Sequence, residues 1–541
     1  MSAAAPGGDP RGGNEPVPSS WAPLARPVFR ALWLAAAGSY LGTWIQDVGA
    51  AWLMTSLSPS PFMVALVQSA TTLPIFFLAL PAGALADVLD RRRLLLFTQA
   101  WMILAAAILG VLALMDRAGP GTLLALTFLM GIGTALNAPA WQAIIPDLVP
   151  GRELGPALAL NSIGINAART IGPAIGGAVV AAAGPGAAFL LNAASFAGVV
   201  VVLYRWRHET ERTALPAERL LGAMRAGLRF VRHAPELQAV LIRSLVFILF
   251  GSSLWALLPS VARFEMGLDA SGYGALLGCI GVGAVAGAAV LPRLRRSLSL
   301  NVLVAWATGA FAAGLFLVAA AGRPWIAALA LAIVGGAWLT LLTSFHASAQ
   351  SLLPSWVRGR AIAVYLLVFF GGLAAGSAVW GAVAARAGTR PALAVAAAGM
   401  LAGLAVTAGR RLVSGEMMNL APSRHWPAPM VPAETRGDRG PVLVTVEYRV
   451  EPARAAEFAR AMRDIRRIRM RDGAFRWDLF TDAADPARFL ESFFVESWVE
   501  HLRQHERLTV ADREREGRAR AFHAGGAPPV VTHFIARPIP R

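Results

Sequence analysis

The sequence predicts an all-α membrane protein: twelve transmembrane helices in two six-helix pseudo-symmetric halves, then a small C-terminal ferredoxin-like α+β domain. Three observations predict it. The 541 residues are 56% hydrophobic and only 15% charged, where a soluble chain carries about 25% charged residues. Apolar runs of membrane-spanning length recur along the first three quarters. Beyond Pro441 the runs stop, and both charge signs mix with strand-like and helix-like periods.

The chain opens on residues 1–27, rich in Gly, Pro and Ala at the start and without the apolar core of a signal peptide, so a disordered cytoplasmic lead is expected. A bilayer core takes about 20 apolar residues of helix. Such runs lie near 29–54, 61–85, 94–115, 121–145, 157–182 and 186–204, the first half over 28–204. They resume near 239–262, 271–292, 300–321, 324–347, 361–385 and 391–409, the second half over 239–411. Between them, 205–238 reads as a cytoplasmic linker. It carries an amphipathic helix with Leu220, Leu221, Met224, Leu228 and Val231 opposite several Arg, suited to anionic headgroups. Residues 412–440 are a Pro-rich linker. From 441 to 541 the order strand–helix–strand–strand–helix–strand suggests the ferredoxin-like sandwich, similar to dimeric α/β barrels of the antibiotic-biosynthesis monooxygenase type. The strand Ser492–Ser497 is a candidate dimer interface, and no catalytic pair is visible.

Arg placement sets the orientation. Counting alternate loops, one side holds Arg26, Arg30, Arg91, Arg92, Arg93, Arg152, the 205–237 cluster, Arg293, Arg295, Arg296, Arg358, Arg360, Arg410 and Arg411. The other side holds Arg117, Arg263, Arg323, Arg386 and Arg390. Both termini are therefore expected in the cytoplasm, in a multi-pass protein of the inner or plasma membrane. The net charge of +17 is explained by these loop clusters, so no nucleic-acid partner is expected. The single cysteine, Cys279, excludes a disulfide framework.

Shifting the chain by 204 residues superposes Gly83 on Gly287, Arg91 on Arg295, Gly131 on Gly335, Gly172 on Gly376, Gly177 on Gly381 and Gly184 on Gly388. The two halves are thus repeats. An even number of helices in each keeps them parallel about an axis along the membrane normal, with a site between them.

The link between the second and third runs, GALADVLDRRR from Gly83, packs five charges into Asp87–Arg93. With the helix count and the repeat, it resembles the loop signature of the major facilitator superfamily at Gly83, Asp87, Arg91 and Arg92. Val88 and Asp90 stand where that signature has a basic residue and a glycine. The resemblance implies a gating loop of Gly83, Asp87, Asp90, Arg91 and Arg92, with close helix approach at Gly83 and a carboxylate latch at Asp87. TWIQDVGAAWLMTSLSPSPF and NSIGINAARTIGPAIGG narrow the likeness to the branch of the enterobactin exporter and related drug and macrolide efflux proteins, the transmembrane secretion effector type. There Gly172, Pro173, Gly176 and Gly177 match a helix-packing motif of antiporters. What this implies is a secondary transporter exporting a bulky small molecule by alternating access with proton antiport. The alternatives are an importer or a sensor signalling through the tail, or a transporter fused to a monooxygenase-like domain.

Ionisable residues inside a membrane are costly and usually functional. Asp47 and Arg169 fall at similar depth by counting from their loops, so they are expected to approach each other or to share one aqueous cavity, and to couple protons. Gln46, Asn137, Gln142, Asn161, Asn166 and His346 are the candidates for a substrate cavity. His501 and His505, four apart on a tail helix, lack a third ligand in the sequence and read as a solvated face. No cofactor and no metal are expected.

Overall fold

The computed structural model describes residues 19–206, 220–413, 419–423, 425–426 and 440–537, without the side chains of residues 80, 84, 86–88 and 220–224. The expected disordered lead to residue 18, most of the 412–440 linker, the Asp87 carboxylate and the side chains of Leu220, Leu221 and Met224 lie outside the described residues.

The helices in the apolar part are α1 Pro27–Leu57, α2 Pro61–Val88, α3 Arg91–Leu114, α4 Pro120–Ile144, α5 Leu154–Arg205, α6 Leu220–His233, α7 Pro235–Ser260, α8 Ala270–Ser297, α9 Leu300–Ala320, α10 Pro324–Ser351, α11 Arg358–Ala387 and α12 Thr389–Thr407. Five of them begin on proline, at Pro27, Pro61, Pro120, Pro235 and Pro324. The missing N–H costs nothing there, because the first helical amides have no intrahelical acceptor.

Among the described residues, 10 helices are long and apolar enough to cross a membrane. Two features separate that count from twelve. α1 carries Arg30, Tyr40, Gln46 and Asp47 and falls outside the set. α5 is a single run of 52 residues, about 78 Å at 1.5 Å per residue, more than twice a bilayer core of about 30 Å. It bends at Gly184, where φ is 78° and ψ 169°. Gly388, its partner in the repeat, has φ 91° and ψ 158° and separates α11 from α12. Only glycine adopts this backbone without strain. The same break therefore recurs at the same place in each half.

The other paired glycines make matching crossings. A Cβ on Gly172 would meet Trp44 of α1 at 2.6 Å, and one on Gly376 would meet Leu249 O of α7 at 2.6 Å. Gly131 abuts Thr71 O of α2, and Gly335 abuts Ile280 O of α8. Gly177 of α5 lies on Gly274 of α8, while Gly381 of α11 lies on Ala65 of α2. These last two crossings exchange helices between the repeats, as a two-fold relation requires.

In the tail, β1 Val442–Arg449, α13 Ala455–Asp472, β2 Ala474–Thr481, β3 Arg488–Val495, α14 Trp498–Arg507, α15 Val510–Arg520 and β4 Val530–Ile535 follow in turn. The sheet order is β2-β3-β1-β4 with antiparallel neighbours throughout. The expected second helix is split into α14 and α15, with Thr509 and Asp512 forming a capping box for α15. Val442, Val444, Val446 and Tyr448 alternate inward, the last two onto Phe458, Met462 and Ile465 of α13 and the first two onto Phe493 and Trp498.

Part of α6 is covered by protein: Phe230 is 2% and Val231 8% exposed, while Leu228 of the apolar stripe is 62% exposed. Phe230 meets the ring of Trp356 edge-on at 5.8 Å and lies under the Arg471 guanidinium of α13 at 5.6 Å. An apolar stripe reports that something covers it, not what; at Phe230 the tail and the foot of α11 do.

Candidate functional site

The charged loop works locally. Asp90 caps α3, accepting from the Arg93 N–H at 2.7 Å, as short polar residues do at helix starts. Arg91 donates to Ala143 O (3.0 Å) and Asp147 (3.3 Å) at the end of α4. Arg92 donates to Leu203 O (2.7 Å) and Tyr204 O (2.8 Å) at the end of α5. Cations at helix C-termini satisfy orphan carbonyls and the dipole together. Both arginines thus bind within their own half. At the repeat positions, Arg295 and Arg296 are exposed, and Ser351 stands where the first half has Asp147. Gly83 differs from the expected close approach: among the described residues a Cβ there meets nothing within 4 Å.

At the opposite end the halves close. Gly177 Cβ would lie 2.6 Å from Ala270 O, Gly281 Cβ 2.8 Å from Thr170 Cα and Gly381 Cβ 2.5 Å from Ala65 Cβ. Ser69 donates to Ala374 O at 2.8 Å across the α2–α11 seam. Arg263, just past α7, donates to Thr55 (3.1 Å) and Ser56 (2.5 Å) at the end of α1. Gly172, Pro173, Gly176 and Gly177 sit in this closed region. Gly172 and Gly176 receive α1 at Trp44 and Ile45, and the Pro173 carbonyl lies 2.7 Å from a Cβ built on Gly274.

A cavity of about 110 Å³ lies between α5 and α8 beside that closure, lined among others by Trp44, Asn166, Arg169, Trp255, Ile280 and Leu339. Arg169 is thereby placed between the halves. Asp47 is not in the lining, and neither charge has a hydrogen-bond or ion-pair partner among the described residues. The expected meeting fails on depth. α1 starts at Pro27 and α5 at Leu154, so Asp47 is 20 residues into its helix and Arg169 only 15. Five residues are about 7.5 Å of rise, and Gly172 faces Trp44 and Gly176 faces Ile45 in the same offset.

Of the six polar candidates, Asn166 lines the cavity. Gln46 is 4% exposed, held by Asn192 Nδ2 at 2.7 Å and packed on Met130. Asn137 accepts from Thr98 and Gln99 of α3 at 3.1 and 3.2 Å. These two staple helices within the first half, a correction to their expected place in a cavity. Asn161 accepts from Tyr40 at 3.2 Å and Trp141 at 3.3 Å. Gln142 is exposed and His346 half-buried. From His346 a run of rings passes through Tyr365, Phe369 and Trp338 to Trp255, with centroids 5.4–6.4 Å apart. Trp255 and Trp338 each bury an indole N–H without a partner, the kind of donor a bound molecule would satisfy. The sequence reading missed Trp255, since nothing in an apolar run tells which side of the helix faces the cleft.

The tail holds a separate buried polar cluster. Arg469 bonds Glu491 at 3.0 Å and also Glu516. Tyr448 and Trp477 donate to Glu491, and His425 and Trp426 meet Glu516. The Arg469 guanidinium and its neighbours' donors hold the Glu516 carboxyl far below its usual range, against the opposing effect of burial. Arg471 is clamped by Asp472 and Asp512 at 2.7 Å each. The expected solvated histidine face is also corrected: His501 is 1% exposed, and β4 brings His533 to it.

Residues 18–539 match the family described as transmembrane secretion effector. The chain belongs to that family. It is similar to the staphyloferrin A transporter of Staphylococcus aureus, 27% identical over 48% of the chain and 66% of that protein. It is also similar to the multidrug efflux pump Tap of Mycolicibacterium fortuitum, 26% identical over 63% of the chain and 84% of the pump. The enterobactin exporter of Salmonella typhimurium is 26% identical over 66% of the chain and 86% of that exporter. Among solved structures, an inward-facing bacterial homologue of the lysosomal transporter Spinster superposes with a TM-score of 0.55 at 15% identity, covering 72% of this chain and 96% of that one. An auto-inhibited peptide transporter gives 0.59 at 14% identity, covering 72% and 98%. The chain therefore has the major facilitator fold and belongs to a family of membrane transporters.

Proposed function

We propose that this protein exports a bulky, partly apolar small molecule, siderophore-like or drug-like, by alternating access in exchange for protons. On this reading twelve helices cross the membrane, with both termini and the tail in the cytoplasm. One observation carries it: the halves are sealed through Gly177, Gly281 and Gly381, away from the Arg-rich loops, which we read as the closed outer side of an inward-open cleft. The Arg-rich end is the cytoplasmic one by the positive-inside rule, so the cleft faces the side from which an exporter loads. The names of the relatives and the Gly172–Gly177 motif support export. Arg169, the Trp44 and Trp255 rings and Asn166 would receive a substrate with an anionic or acceptor-rich head and an aromatic body. Asp47, the unpartnered carboxylate of α1, would take the proton. The outer face of the tail sheet exposes Phe475, Phe480, Val530 and Phe534, which supports dimerisation through the tail.

A cross-link tests the rocking. A Cβ on Gly278 lies 3.5 Å from Ala174 Cβ, within disulfide range. In a Cys279→Ser background, oxidised Ala174→Cys/Gly278→Cys protein should stop transporting and recover with reductant. Transport through the cross-linked form would defeat the mechanism. Direction is read in inside-out vesicles, where an acid interior should drive a fluorescent aromatic carboxylate inward; uptake without a pH gradient would remove the proton.

A further inference from the structure

The tail contains a constellation that transport does not use. His501 and His505 stand one turn apart on α14, with their Nε2 atoms 3.2 Å from each other. His533 of β4 is registered against Val444 of β1, one of the alternate residues that face the helices. Its ring lies 4.8 Å from that of His501. One ring nitrogen from each of the three falls within 4.8 Å of the others. A tetrahedral ion with bonds of about 2.0–2.1 Å holds its nitrogens roughly 3.3–3.4 Å apart. The α14 pair already has that spacing, and His533, on an edge strand and half-buried, has room to close on them.

A second observation is independent of the spacing. The Nδ1 atom of His501 and the Oε1 atom of Gln504, close by on the same helix, are both buried without a hydrogen-bond partner; with Nε2 on an ion, the Nδ1–H would have that amide oxygen to donate to. Three clustered imidazoles with such an orphan are a poor packing solution and a serviceable ligand set. We propose that His501, His505 and His533 bind one divalent transition-metal ion of the zinc class, leaving a fourth position open.

The surroundings fit a cation. Burial among rings favours the neutral imidazole, the form that binds a metal. Arg469 and His425 also face this cluster, but Arg469 is matched by two carboxylates, Glu491 and Glu516. With Arg520 3.9 Å from Glu516, these charges balance, so the group presents no net positive charge to the imidazoles. Trp426 lies edge-on to His505 at 4.7 Å, and Trp498 flanks His501 at 5.4 Å and His533 at 5.8 Å, an apolar shell that excludes competing water. Three imidazoles and no thiolate suit Zn²⁺, Cu²⁺ or Ni²⁺ over Mg²⁺ or Ca²⁺.

The test uses the full chain in detergent, stripped with a chelator and then dialysed against ZnCl₂ or CoCl₂. One Zn²⁺ per chain should be retained, and Co²⁺ should give visible bands of a nitrogen-ligated, four- or five-coordinate ion. His533→Ala leaves the buried helix face intact and should weaken Zn²⁺ binding on the order of 100-fold, as should His505→Ala. His346→Ala, in the membrane part, should bind normally. Saturating Zn²⁺ should raise the unfolding midpoint of the tail in the wild type and not in His533→Ala. Wild-type protein that retains no Zn²⁺, or His533→Ala protein that binds as well as wild type, overturns the site.

Discussion

Arg169 in α5 and Arg469 in α13 are both guanidiniums drawn away from bulk water, and they are treated oppositely. Arg469 is surrounded: two carboxylates bond it, and tyrosine, tryptophan and histidine satisfy those carboxylates in turn. Arg169, like Asp47, lies in the membrane part without a partner among the described residues. A buried charge with a full set of partners fixes one arrangement and resists change. A buried charge left open keeps a cost that a proton, a substrate or a second conformation can relieve. The tail is built to stay as it is; the cleft is built to be completed by something else.

That contrast can be broken from the tail side first, where the largest effect is expected. Arg469→Ala leaves Glu491 and Glu516 buried together and should cost about 3–5 kcal/mol, read from denaturant unfolding of the tail in the full chain. A loss below about 1 kcal/mol would mean that the cluster is not what holds the tail. On the membrane side, Asp47→Asn should reduce proton-driven transport on the order of tenfold or more while leaving thermal stability nearly unchanged. A large loss of stability instead would make Asp47 a structural group like its tail counterparts.

The pH dependence of the tail sharpens the comparison further. His501 and His505 titrate near 3 and 4 in the folded protein, below the ordinary value of about 6.5. The unfolded chain therefore takes up protons below 6.5 that the folded tail refuses. Stability is full above pH 6.5 and falls as pH drops from 6.5 toward 4. In metal-free protein the tail's tryptophan-detected midpoint should fall by roughly several degrees between pH 7 and 5, and a His501→Gln variant should flatten that slope. An unchanged midpoint would show that these rings are not enclosed. The smallest effect belongs to the loop: Arg92→Ala removes a helix-end cap and should cost about 1 kcal/mol, with Arg296→Ala, its exposed repeat partner, near zero in the same thermal-shift assay.

Much of this was legible before any coordinates. The paired glycines announce the crossings because a close backbone approach admits no other side chain, and Gly184 and Gly388 share both sequence position and backbone conformation. The alternation of the tail strands gave their faces. Depth and facing were harder. Asp47 and Arg169 were placed together by counting from loop arginines, and shifts of about two residues at each helix start separated them. Gln46 and Asn166 look alike in sequence because their helices are apolar nearly all round, so periodicity cannot say which face meets a neighbour and which meets the cleft. His533 could not be joined to His501 and His505 without knowing that β4 runs beside β1.

The seam between tail and membrane part has a mechanical meaning. Glu500 of α14 takes Arg229 of α6 at 3.0 Å, Arg515 of α15 takes Glu236 of α7 at 3.2 Å, and Arg507 lies over Trp356, just before α11, at 4.6 Å. α11 is also a helix of the closed seam. If α11 tilts as proposed, the folded tail is luggage strapped to that lever, and drag on the luggage becomes drag on transport.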